Sequence, residues 1–202
     1  MILRVLIWLG ALLPLLYAAL RFSVEFHPQW LYDGLVYLEG YVHLVLTRTP
    51  TDPLKFLSDL VGNSALWLLA LTLLVTPLRS YIGINLLKYR RLLGLFAFFY
   101  ALIHALMFIG IDQQFDLFGV QHEVMTKPFI AFGMGAFLIL FLMALTSSKK
   151  LFAKFRSWHK LVYIAVVLIA IHYLMSHKTI TLTNVTVVGT LFLLLALRLV
   201  KR

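Results

Sequence analysis

Six long apolar runs in this 202-residue chain restrict the folds that are open to it. They lie near residues 5–22, 63–78, 92–111, 129–146, 160–176 and 182–199. About 20 apolar residues in an α-helix cross the hydrocarbon core of a bilayer, where the backbone must satisfy its own hydrogen bonds. Hydrophobic residues make up 62% of the chain and the mean hydropathy is +0.94, which excludes a soluble globular domain. We therefore predict an all-α integral membrane protein, a six-helix bundle that forms a single domain over residues 1–202.

The distribution of charge predicts how this bundle is oriented. With a cytoplasmic N-terminus, thirteen of the eighteen Lys and Arg residues fall on the inner side. The outer side then holds five basic residues and all eight acidic ones. This is the positive-inside pattern, so we expect both termini in the cytoplasm. The basic residues lie at helix borders, where they contact anionic lipid, so the net charge of +10 does not indicate a nucleic-acid partner.

Two segments near the N-terminus need separate interpretation. The first apolar run follows Arg4, contains Pro14 and lacks a small-residue cleavage site, so we interpret it as a retained first helix and not as a signal peptide. Residues 23–62 form the longest connection, on the outer side. Apolar residues recur at near-helical spacing over 30–44, which predicts an additional interfacial helix in this first periplasmic loop.

Four histidines in the second half of the chain lie within or at the border of predicted spans: His104, His159, His172 and His177. An ionisable residue in a membrane span is costly and indicates function, although a helix–helix hydrogen bond is the alternative for any single one. The third and fifth helices run in the same direction, which places His104 and His172 toward the outer side and His159 at the inner end. A neutral imidazole is a good axial ligand of heme iron. We predict His104, His172 and His159 as metal ligands of one or two b-type hemes, and His177 as an interfacial residue.

Two hemes with two protein ligands each would need a fourth ligand, opposite His159. The sequence has arginines at that position. Arg90 precedes His104 by 14 residues, roughly 21 Å of helix and within roughly 40° of four full turns, so the two share a face. His159 and His172 are 13 residues apart and would be roughly 140° out of phase on a straight helix, unless the helix tilts or begins after His159. A guanidinium has no lone pair, so Arg90 is expected to bind a heme propionate, or to ligate iron only in an unusual deprotonated form. The candidate cofactor-binding residues are Arg79, Arg90 and Arg91.

Other redox machinery is missing from the sequence. The chain contains no cysteine, which excludes disulfides and thiolate-bound iron–sulfur clusters. Gly133 and Gly135 lie within a predicted span, so we interpret them as sites of close helix contact and not as part of a dinucleotide fingerprint. The electron donor or acceptor must then be a lipid-soluble molecule, a bound cofactor or another protein.

A series of short motifs between residues 60 and 202 resembles those of a known family. They are Thr76-Pro77-Leu78-Arg79, Arg90-Arg91-Leu92-Leu93-Gly94-Leu95, Tyr100 to His104, Lys127-Pro128-Phe129-Ile130 with Gly133, Ala144-Leu145-Thr146-Ser147, His159 to Tyr163 and Ile171-His172-Tyr173. Their order and spacing resemble the MsrQ (YedZ) family, the heme-binding membrane subunits of bacterial methionine sulfoxide reductase systems. That family lies within the ferric reductase-like transmembrane superfamily.

The resemblance implies a specific electron route. A member of this family would sit in the bacterial inner membrane and pass electrons from the quinone pool to MsrP, a periplasmic molybdopterin reductase that repairs oxidised methionine in periplasmic proteins. The family's heme histidines correspond to His104, His159 and His172. Members have also been associated with FMN, although this sequence carries no flavin motif.

The sequence is compatible with three candidate functions. The first is an electron-transfer subunit without catalytic residues of its own, whose partners are quinol, membrane lipid and a periplasmic reductase. The second is a stand-alone transmembrane ferric or cupric reductase. The third is a membrane transporter or assembly factor that depends on its histidines.

Overall fold

The computed structural model describes residues 2–25 and 52–200, and the elements within these ranges are all helical. The α-helices are α1 (Ile2–Glu25), α2 (Pro53–Pro77), α3 (Leu87–Met107), α4 (Leu117–Thr126), α5 (Pro128–Leu145), α6 (Lys149–Lys154), α7 (Val162–Met175) and α8 (Leu182–Val200). Single π-helical turns follow α2 (Leu78–Ile82) and α3 (Phe108–Asp112). A 3-10 turn, Arg156–Leu161, precedes α7.

Six stretches among the described residues are long and apolar enough to cross a membrane. They are Ile2–Ala19, Pro53–Ile82, Leu87–Asp112, Pro128–Leu145, Arg156–Met175 and Leu182–Val200. The prediction of an all-α, six-span membrane protein is therefore confirmed, and the chain is a multi-pass membrane protein. The interfacial helix predicted around residues 30–44 lies outside the described residues.

The start of α2 differs from the sequence prediction. The helix begins at Pro53, whereas hydropathy places the start of the second run near residue 63. Asp52 accepts a hydrogen bond from the backbone N–H of Lys55 at 2.9 Å, and proline suits the first helical position. Lys55 and Asp59 form an ion pair on this first part of the helix, at 3.2 Å. Because the first part of α2 is polar, hydropathy does not predict that it belongs to the helix.

The chain divides into two compact units, residues 1–63 and 64–202. In the first unit, the rings of Tyr17 and Phe56 pack edge to face with their centroids 6.0 Å apart. The second unit contains every predicted site residue. The organisation of the whole chain as one heme-binding domain stays a prediction.

Neighbouring helices of the second unit run in opposite directions. The α5–α7 pair shows this most fully: Phe129 contacts His172, Gly135 faces Leu168 and Thr146 contacts His159. Between α3 and α5, the ring of Phe98 packs against Phe137 and Phe141 at 6.2 and 6.0 Å. Short connections between antiparallel helices are typical of membrane and soluble bundles alike.

This alternation separates the charges of the second unit into two ends. We call the end that carries most arginines and lysines the basic end, and the opposite end the acidic end. The basic end holds Arg79, Lys88, Arg90, Arg91, Lys150, Lys154, Arg156, Lys160 and Arg198. The acidic end holds Asp112, Asp116 and Glu123, together with Lys127 and Lys178.

Candidate functional site

His104 and His172 lie together at the acidic end. Each occupies the last turn of its helix, His104 on α3 and His172 on α7, and both side chains are half-buried. Their ring centroids are 6.3 Å apart and their planes are inclined by 76°. The two histidines that the sequence pairs by depth are thus also neighbours in space.

This separation fits two imidazoles that bind one metal from opposite sides. With metal–nitrogen bonds of about 2 Å, their centroids would lie about 6 Å apart. Their mutual inclination is compatible with such binding because each ring can rotate about its own bond to the metal. Among the described residues, no group of three or more His, Asp or Glu side chains is placed to hold a metal ion. The fit of the two rings to a shared metal rests on their spacing.

A hydrogen bond determines which nitrogen of His172 carries the lone pair. Nδ1 lies 2.7 Å from the backbone carbonyl oxygen of Phe129, near the start of α5. A carbonyl only accepts, so Nδ1 carries the proton and donates, and Nε2 of the neutral ring keeps its lone pair. Metal-binding histidines commonly donate their second N–H to a carbonyl or carboxylate in this way. The ring of Phe129 also stacks on the imidazole, with centroids 6.2 Å apart.

Gly133 provides the space that the His172 ring occupies. A Cβ atom at this position would lie 2.7 Å from Nδ1 and 2.8 Å from Cε1 of His172, closer than non-bonded atoms approach. At Gly135, two residues further along α5, a Cβ would meet only Leu168 Cδ1, at an ordinary 3.6 Å. The sequence predicts both glycines as sites of close helix contact, and the structure gives Gly133 the more specific role of admitting an imidazole.

His159 lies at the basic end, in the 3-10 turn that precedes α7. Because α7 begins only at Val162, the phase mismatch that a continuous helix would impose between His159 and His172 does not arise. His159 Nε2 is 3.3 Å from the hydroxyl of Thr146, which donates its own proton to the Leu142 carbonyl at 2.8 Å. The threonine oxygen therefore accepts from Nε2–H, and the lone pair of His159 is on Nδ1. His159 is thus hydrogen-bonded but is not presented to a metal as His172 is.

The three predicted cofactor-binding arginines have different surroundings. Arg90 is half-buried and interacts electrostatically with His159, Tyr163 and Arg198. Arg91 and Arg79 are exposed at the surface of the bundle. Position 91 follows position 90 by about 100° around the helix, so only one of the two can point inward.

Arg198 and Tyr163 belong to the same region but are not predicted from the sequence. Arg198, near the end of α8, is only 8% exposed, and its guanidinium carbon lies 5.3 Å from the centre of the Tyr163 ring. The sequence does contain a signal for Arg198. It continues, at helical spacing, a buried stripe formed by Val187, Val188, Leu191 and Leu194.

His177 belongs neither to the His104–His172 pair nor to the group of residues around His159 and Arg90. Its side chain is exposed, and Nδ1 lies 2.7 Å from the carbonyl oxygen of Tyr173, in the last turn of α7.

Comparison with known proteins identifies the family. The model of the ferric reductase-like transmembrane component matches residues 61–170, slightly more than half of the chain. Proteins named "protein-methionine-sulfoxide reductase heme-binding subunit MsrQ" from Brucella ovis, Brucella canis and Brucella melitensis are each 43% identical over 156 residues. The alignments cover 72% of this chain and 71% of theirs. The chain belongs to the MsrQ family of ferric reductase-like transmembrane proteins.

Proposed function

We propose that this protein is the heme-binding electron-transfer subunit of a membrane methionine sulfoxide reductase system, in which His104 and His172 would hold one b-type heme. The observation that carries the proposal is the paired imidazoles, 6.3 Å apart, with Nδ1 of His172 engaged by a backbone carbonyl. The names of the Brucella relatives, which describe heme-binding subunits, support it independently. The transmembrane heme-binding domain would then comprise the whole chain.

The chain's own residues prepare this site before any cofactor enters it. The heme, once bound, supplies one-electron redox chemistry. His172 offers Nε2 because Phe129 holds the proton on Nδ1, and this hydrogen bond also makes the ring a stronger electron donor. Gly133 leaves room for the ring, and the half-buried position of both histidines limits access of water. The protein's own residues would thus determine the orientation and polarity of the ligands.

A second centre at the basic end completes the proposed path across the membrane. His159 is its candidate ligand, and half-buried Arg90 is placed to bind an anionic group beside it. The hydrogen bond of His159 to Thr146 must be exchanged before Nε2 binds iron, so we expect a weaker heme here than at the acidic end. Exposed Arg79 and Arg91 suit contacts with lipid or quinone headgroups. FMN stays a prediction from family resemblance.

The electron donor that we propose is a membrane quinol, and the acceptor is a periplasmic reductase. Oxidation of one membrane quinol releases two electrons and two protons. Reduction of one methionine sulfoxide consumes two electrons and two protons and yields methionine and water. We propose that a periplasmic MsrP-like molybdopterin reductase performs the second reaction, and that this subunit connects the two half-reactions in the bacterial inner membrane.

Reconstitution tests the proposed function. The protein purified from heme-replete cells is incorporated into liposomes with a quinol, and the periplasmic reductase and a methionine sulfoxide substrate are added outside. We expect sulfoxide reduction that requires both proteins and the quinol, and that falls to background in His172→Ala. A colourless, well-folded protein would refute the proposal. Reduction of ferric or cupric chelates at full rate without any partner would instead favour the stand-alone metal reductase.

The orientation of the chain is tested by thiol labelling, which is simple here because the sequence contains no cysteine. We propose that the basic end faces the cytoplasm. The matched variants are Gln121→Cys, exposed on α4 at the acidic end, and Lys150→Cys, exposed on α6 at the basic end. A membrane-impermeant maleimide added to spheroplasts should label Gln121→Cys at once and Lys150→Cys only after permeabilisation. The reverse pattern would show that the bundle is inverted.

A further inference from the structure

Arg198 points inward near the end of a membrane-spanning helix. Long basic side chains near such ends normally extend outward to water and headgroups. Arg79 and Arg91 are exposed, as this rule predicts. Arg198 instead lies on the buried stripe of α8 and is 8% exposed. Burying a guanidinium is unfavourable unless groups in the interior interact favourably with its charge. The groups around Arg198 therefore indicate how its charge is stabilised.

Two of those surroundings are Tyr163 and a second cation. The guanidinium of Arg198 lies over the Tyr163 ring at 5.3 Å, a favourable cation–π arrangement. Arg90, half-buried on α3, interacts electrostatically with both Arg198 and Tyr163. Two like charges directed into one region repel each other, whereas the acidic side chains of this unit lie at the opposite end. An anion that enters with a ligand would relieve this repulsion most directly.

Thr76 supplies an independent indication of a ligand at the same level. Its hydroxyl oxygen is buried and has no hydrogen-bond partner in the described part of the chain. Thr72, one turn earlier on α2, lies against Gly94 of α3, with its methyl carbon 3.7 Å from the position of an added Cβ. Because α2 and α3 are antiparallel, the residue one turn after Thr72 on α2 lies level with the residue one turn before Gly94 on α3. These two residues are Thr76 and Arg90. A buried hydroxyl without a partner usually bonds something that the protein chain itself does not provide.

We propose that Arg90, Arg198 and Tyr163 form an oxyanion site at the basic end, which binds the acidic groups of the cofactor held beside His159. The proposal rests on the proposed function, since the propionates of a second heme are the expected occupants. A phosphate of FMN or of a phospholipid has the same chemistry and would use the same donors. Arginine suits either group because its planar fork donates two parallel hydrogen bonds to one carboxylate or phosphate. The hydroxyl of Thr76 would add a further hydrogen bond.

The test compares Arg198→Gln and Arg90→Gln with the control Lys88→Gln, which removes an exposed positive charge from the same helix as Arg90. Each purified protein is assayed for heme per chain by hemochromogen, for FMN, and for bound phospholipid phosphate. The midpoint potential of each heme is measured by redox titration. We expect the first two variants to bind the basic-end heme about 10-fold more weakly, or to lower its midpoint potential because a positive charge near the iron is lost. Lys88→Gln should match wild type in heme content and midpoint potentials, and Arg198→Lys should fall between wild type and Arg198→Gln.

The outcomes separate this proposal from the proposed function. An unchanged signal of the acidic-end heme in the Arg198→Gln variant shows that the protein has folded. Loss of FMN or phosphate, with both hemes retained, would keep the oxyanion site but assign it to a phosphate. If heme content, midpoint potentials, FMN and phosphate all equal those of wild type in both variants, the oxyanion site is refuted while the His104–His172 site stands. Absence of the acidic-end heme in wild type would refute the proposed function itself.

Discussion

Replacement of either His104 or His172 by alanine should remove one heme per chain and the low-spin b-type spectrum of the acidic end. The two rings lie 6.3 Å apart on different helices, and each would supply one of two axial ligands. Loss of a direct ligand exceeds the 10-fold to 100-fold effect of losing an outer-shell contact, so we expect affinity to fall by more than about 100-fold. Reduced-minus-oxidised difference spectra and heme-to-protein ratios measure the change.

His177→Ala is the matched control for this pair. His177 follows His172 by five residues and is exposed, and its Nδ1 contacts the Tyr173 carbonyl of α7 and the Ser176 hydroxyl. Its removal should leave heme content and spectra at wild-type values. A His172→Ala protein that keeps the full low-spin spectrum, or a His177→Ala protein that loses it, would contradict the assignment of the ligands.

A single methyl group at Gly133 should be almost as damaging as removal of a ligand. In Gly133→Ala the new Cβ would lie 2.7 Å from Nδ1 of His172, so the imidazole must move and its hydrogen bond to the Phe129 carbonyl must break. Loss of such an orienting hydrogen bond lowers metal affinity by about 10-fold to 100-fold. We expect a corresponding loss of heme, with a shift of the remaining fraction from six-coordinate low spin to five-coordinate high spin.

Gly135→Ala separates this effect from a general change in the helix. Both substitutions replace glycine by alanine in the same turns of α5, and alanine favours the helix by about 1 kcal/mol. At Gly135 the added methyl meets only Leu168, at 3.6 Å. This variant should keep its heme and be as stable as wild type or more so. Equal heme content in the two variants would show that Gly133 does not position His172.

The fold could be predicted largely from hydropathy because a bilayer permits few backbone arrangements. The six spanning helices follow directly from six apolar runs. Hydropathy failed at the start of α2, where Asp52 and Pro53 form a polar helix start that carries Lys55 and Asp59. Those residues fall below any apolar threshold, but they do match the usual signals for the beginning of a helix.

The candidate site was predictable only where it depends on the position of a residue along its own helix. His104 and His172 follow from depth, because both helices run in the same direction. The Phe129 carbonyl, Gly133 and Thr146 contact their histidines across a helix interface, and a single sequence does not give the rotation of one helix against another. Those contacts required the packed structure.

The arginines illustrate the same limit in a different way. Net charge and the positive-inside pattern treat Arg79, Arg90, Arg91 and Arg198 as equivalent anchors. Their exposure shows that Arg90 and Arg198 differ from the other two. The helical phase of Arg198 with the buried leucines of α8 is the feature that distinguishes it from the exposed arginines.

Electron paramagnetic resonance of the His159→Ala protein tests most directly the claim that His104 and His172 hold one heme between them. This variant removes the candidate ligand of the basic end and leaves the histidine pair at the acidic end intact. We predict one heme per chain with the low-spin signal of two imidazole ligands, and loss of that signal when His172→Ala is added. A His159→Ala protein without heme, or a double variant that keeps the bis-imidazole signal, would contradict the claim.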